Sequence, residues 1–247
     1  MPKAPAIDQQ KLLDLQAVDT RLAQLAHRRT SLPEQKELEA LLTRHRVASD
    51  ELVAAQTRSS DLERLVARAE AAVQQVRERA ARDTARLNSG AGSAKDLQSL
   101  QHELETLGRR QSVLEDEELE VMERLEQAQR ETVAAQAVVD EVAGSAADVQ
   151  ARRDAALEEI QREENGTLAR RQAASMGVSP DLVALYERVR APRGGVGAAL
   201  LRARRCSGCQ LELNSADLAG IRAAAPDDVV MCEECGRILV RTAESGL

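Results

Sequence analysis

Residues 87–97 read Leu87-Asn88-Ser89-Gly90-Ala91-Gly92-Ser93-Ala94-Lys95-Asp96-Leu97, and this short break decides how the flanking sequence is organised. Gly90 or Gly92 can end a helix that arrives from the N-terminal side, while Ser93 followed three residues later by Asp96 resembles a capping box for a helix that leaves. A connection this short between two long helices forces them to lie antiparallel. The prediction therefore turns on whether both flanks are helical.

Upstream, a 3-4 spacing runs through Leu38, Leu41, His45, Ala48, Leu52, Ala55, Ser59, Leu62, Val66, Ala69, Val73, Val76, Ala80, Asp83 and Leu87, of which only His45, Ser59 and Asp83 are polar. Downstream, a second register starts at Leu97 and continues through Leu100, Leu104, Leu107, Gln111, Leu114, Glu118, Val121, Leu125, Ala128, Thr132, Ala135, Val139, Val142, Ala146, Val149, Arg153, Ala156 and Ile160. A period of 3.5 residues keeps one apolar stripe facing a partner helix, as a left-handed coiled coil requires. The first run, 38–87, has a length of about 75 Å at 1.5 Å per residue. The turn pairs Leu87 with Leu97, Val66 with Glu118 and Leu38 with Ala146. The acidic run Glu115–Glu118 with Glu120, Glu123 and Glu126 then faces Arg58, Arg64 and Arg68, and reads as a solvated, ion-paired flank.

Composition agrees. The chain has 247 residues, 43% hydrophobic, yet a single aromatic, Tyr186, and no Phe or Trp. Its apolar content is mostly Ala, Leu and Val, which suits close helix–helix seams better than a conventional core. Between Pro33 and Pro180 no proline interrupts the helices. Leu15, Val18, Leu22, Leu25 and Leu32 form an earlier run out of register with Leu38, so a separate helix or a kink is expected at Pro33. Residues 161–172 of the returning helix should reach that segment and make a three-way helical junction.

The division expected is 1–176 for the hairpin, with its tip near 88–96, 177–195 for a connecting helix and linker, and 196–247 for a small β module. Ser179 reads as an N-cap with Pro180 at the first helical position. Segments 196–205 and 229–240 read as short strands, and Tyr186 should anchor the connecting helix against the C-terminal module.

That module carries the specific chemistry. Cys206-Ser-Gly-Cys209 and Cys232-Glu-Glu-Cys235 are separated by 22 residues and hold every cysteine in the chain. Each C-x-x-C knuckle offers two thiolates to one ion, and two knuckles complete the four-sulfur set that Zn²⁺ prefers. Gly208 and Gly236 sit where the backbone turns to aim amides at sulfur. Four thiolates fill the shell and leave no place for an activated water, so a zinc held there is expected to be structural and not catalytic. The competing readings are two redox-active C-x-x-C pairs or an iron–sulfur centre; neither pair sits in a strand-to-helix redox context, and the Gly-Arg continuation of the second knuckle fits a hairpin. No glycine-rich phosphate loop or nucleophile–base pair accompanies it, and the chain reads as a non-enzyme without a small-molecule substrate.

The net charge is −7 from 34 basic and 41 acidic residues, which excludes a protein that coats nucleic acid over its whole surface. Arg188, Arg190, Arg193, Arg202, Arg204 and Arg205 nevertheless crowd into 18 residues beside the module, and Arg237 adds to them. Spread over a helix and a strand, they can converge on one face and contact phosphate without reading sequence. The opposing reading pairs them with carboxylates. With no secretory leader and no long apolar run, a cytoplasmic, non-membrane protein is expected.

The blocks RRCSGCQLEL and VVMCEECGRILV, together with the tip LNSGAGSAKDLQSLQHELETL, resemble the bacterial C4-type zinc ribbon proteins that carry an N-terminal coiled-coil hairpin. The resemblance covers nearly the whole chain. It implies zinc ligation by Cys206, Cys209, Cys232 and Cys235. It also implies an adaptor role, since relatives look like binders of an alternative sigma factor and of flagellar or type III secretion components, with RNA binding also proposed. The tip matches around Asn88, Lys95, Asp96 and Glu103 but departs from the family pattern at Ala91–Ala94. The function expected is an adaptor, with the coiled coil binding protein and the ribbon binding RNA, DNA or the transcription machinery. The alternative is a scaffold whose ribbon only clamps the base of the hairpin.

Overall fold

The computed structural model describes residues 3–247. Among them are five helices, α1 (Ala6–Thr30), α2 (Pro33–Asn88), α3 (Ala94–Met176), α4 (Pro180–Arg190) and α5 (Ser215–Ala223). Four strands follow α4: β1 (Ala198–Arg202), β2 (Arg205–Cys206), β3 (Val230–Met231) and β4 (Ile238–Val240). The fold is mostly α, a long antiparallel coiled-coil hairpin with a small C-terminal β ribbon. The chain divides into two compact units, Lys36–Gln150 and a second made of Met1–Gln35 with Ala151–Leu247. This division differs from boundaries at 176 and 195, because α1 and the end of α3 group with the ribbon.

In the 36–150 unit, every one of the apolar-register positions from Leu38 to Leu87 and from Leu97 to Val149 is buried or half-buried, including His45, Asp83 and Glu118. The two helices are antiparallel, with Leu38 packed on Ala146 and Val149. Arg77 bonds Glu115 at 2.6 Å, Arg58 lies 3.7 Å from Glu131, and Arg79 bonds Glu103. The flank is thus ion-paired, but Glu115 is held by Arg77, and Arg64 pairs with Asp61 of its own helix. Long side chains lean along the axis, so contacts fall several residues from the simple pairing arithmetic. At the tip the capping box forms: the Ser93 amide and hydroxyl both donate to Asp96, at 2.9 and 2.7 Å, and the Asp96 amide donates back at 3.3 Å. Those bonds hold the Asp96 carboxyl below its ordinary range. Gly90 and Gly92 take φ of +63° and +137°, conformations a side chain would strain. Asn88, Lys95 and Asp96 are exposed.

In the other unit, Pro33 does start a new helix after α1, and Leu25 and Leu32 pack on Ile160 of α3. The three-way junction consists of α1, α3 and α4. Ser179 precedes α4 without capping it through its side chain; its amide instead donates to Asp8 of α1 at 3.1 Å.

The ribbon sheet has the order β2-β1-β4-β3, with β1 parallel to β4 and the other pairs antiparallel. Strand alternation gives it two buried faces. Ala198, Ile238, Val240 and Val229 face a core with Leu12 and Leu15 of α1 and Leu182, Tyr186 and Val189 of α4. Ala199, Leu201, Val230 and Leu239 face the cysteines together with Leu218 and Ile221 of α5. The segments expected as strands are shorter than 196–205 and 229–240 because the cysteine knuckles interrupt both.

Candidate metal centre and the arginines around it

The four thiols gather where the β1–β2 hairpin and the β3–β4 hairpin meet. Their sulfurs all lie within 4.8 Å of one another. Cys206 Sγ is 3.9 Å from Cys235 Sγ, and Cys209 Sγ is 3.9 Å from Cys232 Sγ. A tetrahedral ion with metal–sulfur bonds of about 2.3 Å has sulfur–sulfur edges of about 3.8 Å, so the spacing fits one zinc. The donor set is four sulfurs, which gives the ion a full shell.

The surrounding amides are arranged for thiolates. Backbone N–H groups of Gly208 and Cys209 point at Cys206, and those of Glu234 and Cys235 point at Cys232. Burial nevertheless pushes the Cys206 thiol up, and pushes Cys232 up to about 12. Burial acts on Cys235 in the same direction, but N–H donors from the Arg237 backbone and side chain and the neighbouring thiols outweigh it and bring Cys235 down to about 7. Without a cation, then, the buried pair holds its protons; zinc binding must displace them. Gly236 has φ of +63°, and a side chain there would collide with the Arg193 guanidinium. At Gly208 an added Cβ would stand 2.6 Å from Arg237 Cδ. These glycines let two arginines close over the knuckles.

Those arginines have structural employment. Arg193 donates to the Cys235 carbonyl at 2.7 Å and the Val189 carbonyl at 3.0 Å, while Arg237 donates to the carbonyls of Val196 at 3.1 Å and Arg193 at 3.3 Å. Arg190 bonds Asp19 at 2.9 Å and lies 5.8 Å over the Tyr186 ring. Arg202, Arg204 and Arg205 lie apart from these three, at the β1–β2 turn. Arg202 is 3.0 Å from Glu244 and Arg205 is 3.8 Å from Glu212, both exposed pairs. Arg204 itself is exposed.

Four structural residues lacked any expected role. Asp19, with a fully buried side chain, accepts from Arg171 of α3 at 2.6 Å, from Arg190 and from the Tyr186 hydroxyl at 2.7 Å. Gln16 accepts from the amide of Gly197 at 2.7 Å and donates to the Gly195 carbonyl at 3.1 Å, tying α1 to the ribbon. Gly197 admits the Tyr186 ring, since an added Cβ would meet it at 2.8 Å. Tyr186 is thus the anchor expected, with α1 as a second attachment. Arg241 gathers five carbonyls, those of Ile221, Ala224, Ala225, Pro226 and Asp228, and so closes the end of α5. A sequence signal for α5 existed: Asn214 accepts from the Asp217 amide as an N-cap, ahead of Leu218 and Ile221 one turn apart.

Comparison with known proteins agrees with this construction. Residues 15–194 match the CT398-like coiled coil hairpin domain, and residues 205–239 match the C4-type zinc ribbon domain. A protein of Mycobacterium tuberculosis is 40% identical over 239 residues, covering 97% of each chain. A solved protein of Mycobacterium smegmatis is 42% identical, with a TM-score of 0.85 over 97% of this chain and 100% of that one. CT398 from Chlamydia trachomatis, 18% identical, shares the fold with a TM-score of 0.65 over 94% of this chain and 96% of its own. No helix among the described residues is long and apolar enough to cross a membrane.

Proposed function

The chain belongs to the CT398-like coiled-coil hairpin family that carries a C4-type zinc ribbon, and from that premise we propose that it is a non-enzymatic cytoplasmic adaptor. The hairpin binds a protein partner, with Asn88, Lys95 and Asp96 at its tip, and the ribbon meets RNA, DNA or the transcription machinery through the Arg202–Arg205 turn. Zinc, ligated by Cys206, Cys209, Cys232 and Cys235, fixes that turn and takes no part in chemistry, since a four-thiolate shell has no open position.

The observation that carries this reading is the backbone of the turn. Ala203 and Arg204 have φ of +45° and +64°, left-handed values that cost a non-glycine residue roughly 1 kcal/mol or more each. They are held there by the C-terminal residues: the Ala203 amide donates to the Glu244 carbonyl at 2.8 Å and the Arg204 amide to the Ser245 carbonyl at 2.9 Å. The tail thus holds three arginines, Arg202, Arg204 and Arg205, around one tight bend. The exposed pairs to Glu244 and Glu212 are weak and salt-screened, so phosphate oxygens can replace them.

The test is titration of a fluorescent single-stranded RNA and a duplex DNA at about 50 mM salt, where phosphate contacts are strong. Binding should weaken steeply with salt and vanish when Arg202, Arg204 and Arg205 become Glu, with zinc content unchanged. If the unmodified protein shifts neither probe, the nucleic-acid half is wrong. A second reading, that the ribbon is only a clamp, draws on the core shared by the sheet, α1 and α4. It requires the triple variant to retain every client captured by the unmodified protein in affinity purification.

A further inference from the structure

Beside the zinc site, α5 and strand β3 border a groove of about 370 Å³. Ala216, Gly220 and Ile221 line it from α5, Val230 and Met231 line it from β3, and Leu213 adds to the lining. Its two charged lining residues, Asp217 and Glu233, are both acidic. β3 is the outer strand of the sheet. The Cys232 amide donates to the Arg237 carbonyl, so the antiparallel ladder turns the Met231 N–H and C=O away from β4. Just before β3, Lys3 forms an antiparallel bridge with Asp228 and the Ala4 amide donates to the Asp227 carbonyl at 2.8 Å, so this side of the sheet already takes an extended segment.

We infer that the groove is a docking site for an extended protein segment that places an apolar side chain between Gly220 and Val230 and basic side chains against Asp217 and Glu233. Main-chain bonds to the edge give such a segment its affinity, and the pocket gives it specificity. The charge of the rim selects the class of partner: two carboxylates attract Lys or Arg and repel phosphate, so a nucleic acid is excluded here. The groove therefore does different work from the arginine turn, and either can fail without the other. Its volume is ample for a side chain of leucine size, and Ala216 with Gly220, four residues apart on α5, leaves the backbone approachable.

Gly220 supplies the test, because an added Cβ meets nothing within 4 Å and its backbone is ordinary helix. Gly220→Leu projects a bulky side chain into the groove without disturbing the core. Fluorescence anisotropy with the full zinc-loaded chain would compare two labelled eight-residue probes, one alternating Lys with Leu and one alternating Glu with Leu. The Lys–Leu probe should bind, with the Glu–Leu probe weaker by roughly tenfold or more. Gly220→Leu and Glu233→Lys should each weaken the Lys–Leu probe by a similar factor while circular dichroism and zinc content stay constant. Equal binding of the two probes, or wild-type affinity in Gly220→Leu, would overturn the proposal, the latter by assigning the signal to diffuse negative charge. Competition by single-stranded RNA at equal affinity would overturn it as well.

Discussion

Asp19→Ala tests how α1, α3 and α4 are joined. The Asp19 side chain is fully buried and receives Arg171, Arg190 and the Tyr186 hydroxyl. Removing one partner of a buried ion pair costs about 3–5 kcal/mol because the other charge is stranded. Here both guanidinium groups are about a quarter exposed and both also touch Glu187, so water and Glu187 recover part of the loss. The lower end, about 3 kcal/mol, is expected. Glu187, with its side chain 42% exposed, is the control, and Glu187→Ala should cost about 1 kcal/mol or less. The assay is built into the chain: Tyr186 is the sole tyrosine and tryptophan is absent, so intrinsic emission reports on this junction alone. Urea titrations followed by tyrosine fluorescence should move the Asp19→Ala midpoint well below that of Glu187→Ala. Equal midpoints, or a loss under about 1 kcal/mol for Asp19→Ala, would refute the view that a buried carboxylate holds the junction.

Three further outcomes are expected. Chelation at neutral pH should release one zinc per chain and abolish hydrogen-exchange protection in 198–240 while 38–146 stays helical, since the metal contributes on the order of 10 kcal/mol to such modules; a chain without stoichiometric zinc sinks the metal assignment. Asp83 lies on the hairpin seam with Oδ2 unbonded and Arg79 Nε 3.9 Å away, so Asp83→Leu should raise the unfolding free energy, read from a urea titration of the helical signal, by about 1 kcal/mol. Burial, and then the Asp19 carboxylate, push the Tyr186 phenol well above its ordinary 10.0. The folded chain keeps a proton that the unfolded chain releases, so stability is intact below pH 10 and falls above it by up to about 1.4 kcal/mol per pH unit. Absorbance at the phenolate band should then rise only together with unfolding, and a separate earlier rise would contradict it.

The hairpin and the zinc ligands were legible because both depend on local spacing. Apolar residues every 3.5 positions define a stripe whatever lies beyond it, which is why even the polar Asp83 and Glu118 occupy the seam. Two C-x-x-C knuckles define a ligand set in the same way. Helix α5 was missed because its signal, Asn214 with Asp217 and two apolar residues, is only nine residues long and lies between strands. The grouping of arginines was harder: nearness along the chain says nothing about which carbonyls or carboxylates each guanidinium reaches.

By itself, the sequence determined two helices that turn back on one another and four thiols for one tetrahedral cation, since each follows from a repeat or a motif. Tertiary structure alone decided that α1 joins the ribbon through Gln16, Asp19 and Tyr186, that Arg190, Arg193 and Arg237 are consumed internally, and that Arg202, Arg204 and Arg205 remain at the surface. The physical reason is that hydrogen bonds and burial over 150 or more residues of separation, such as Tyr186 to Asp19 across 167, depend on packing that no local pattern encodes.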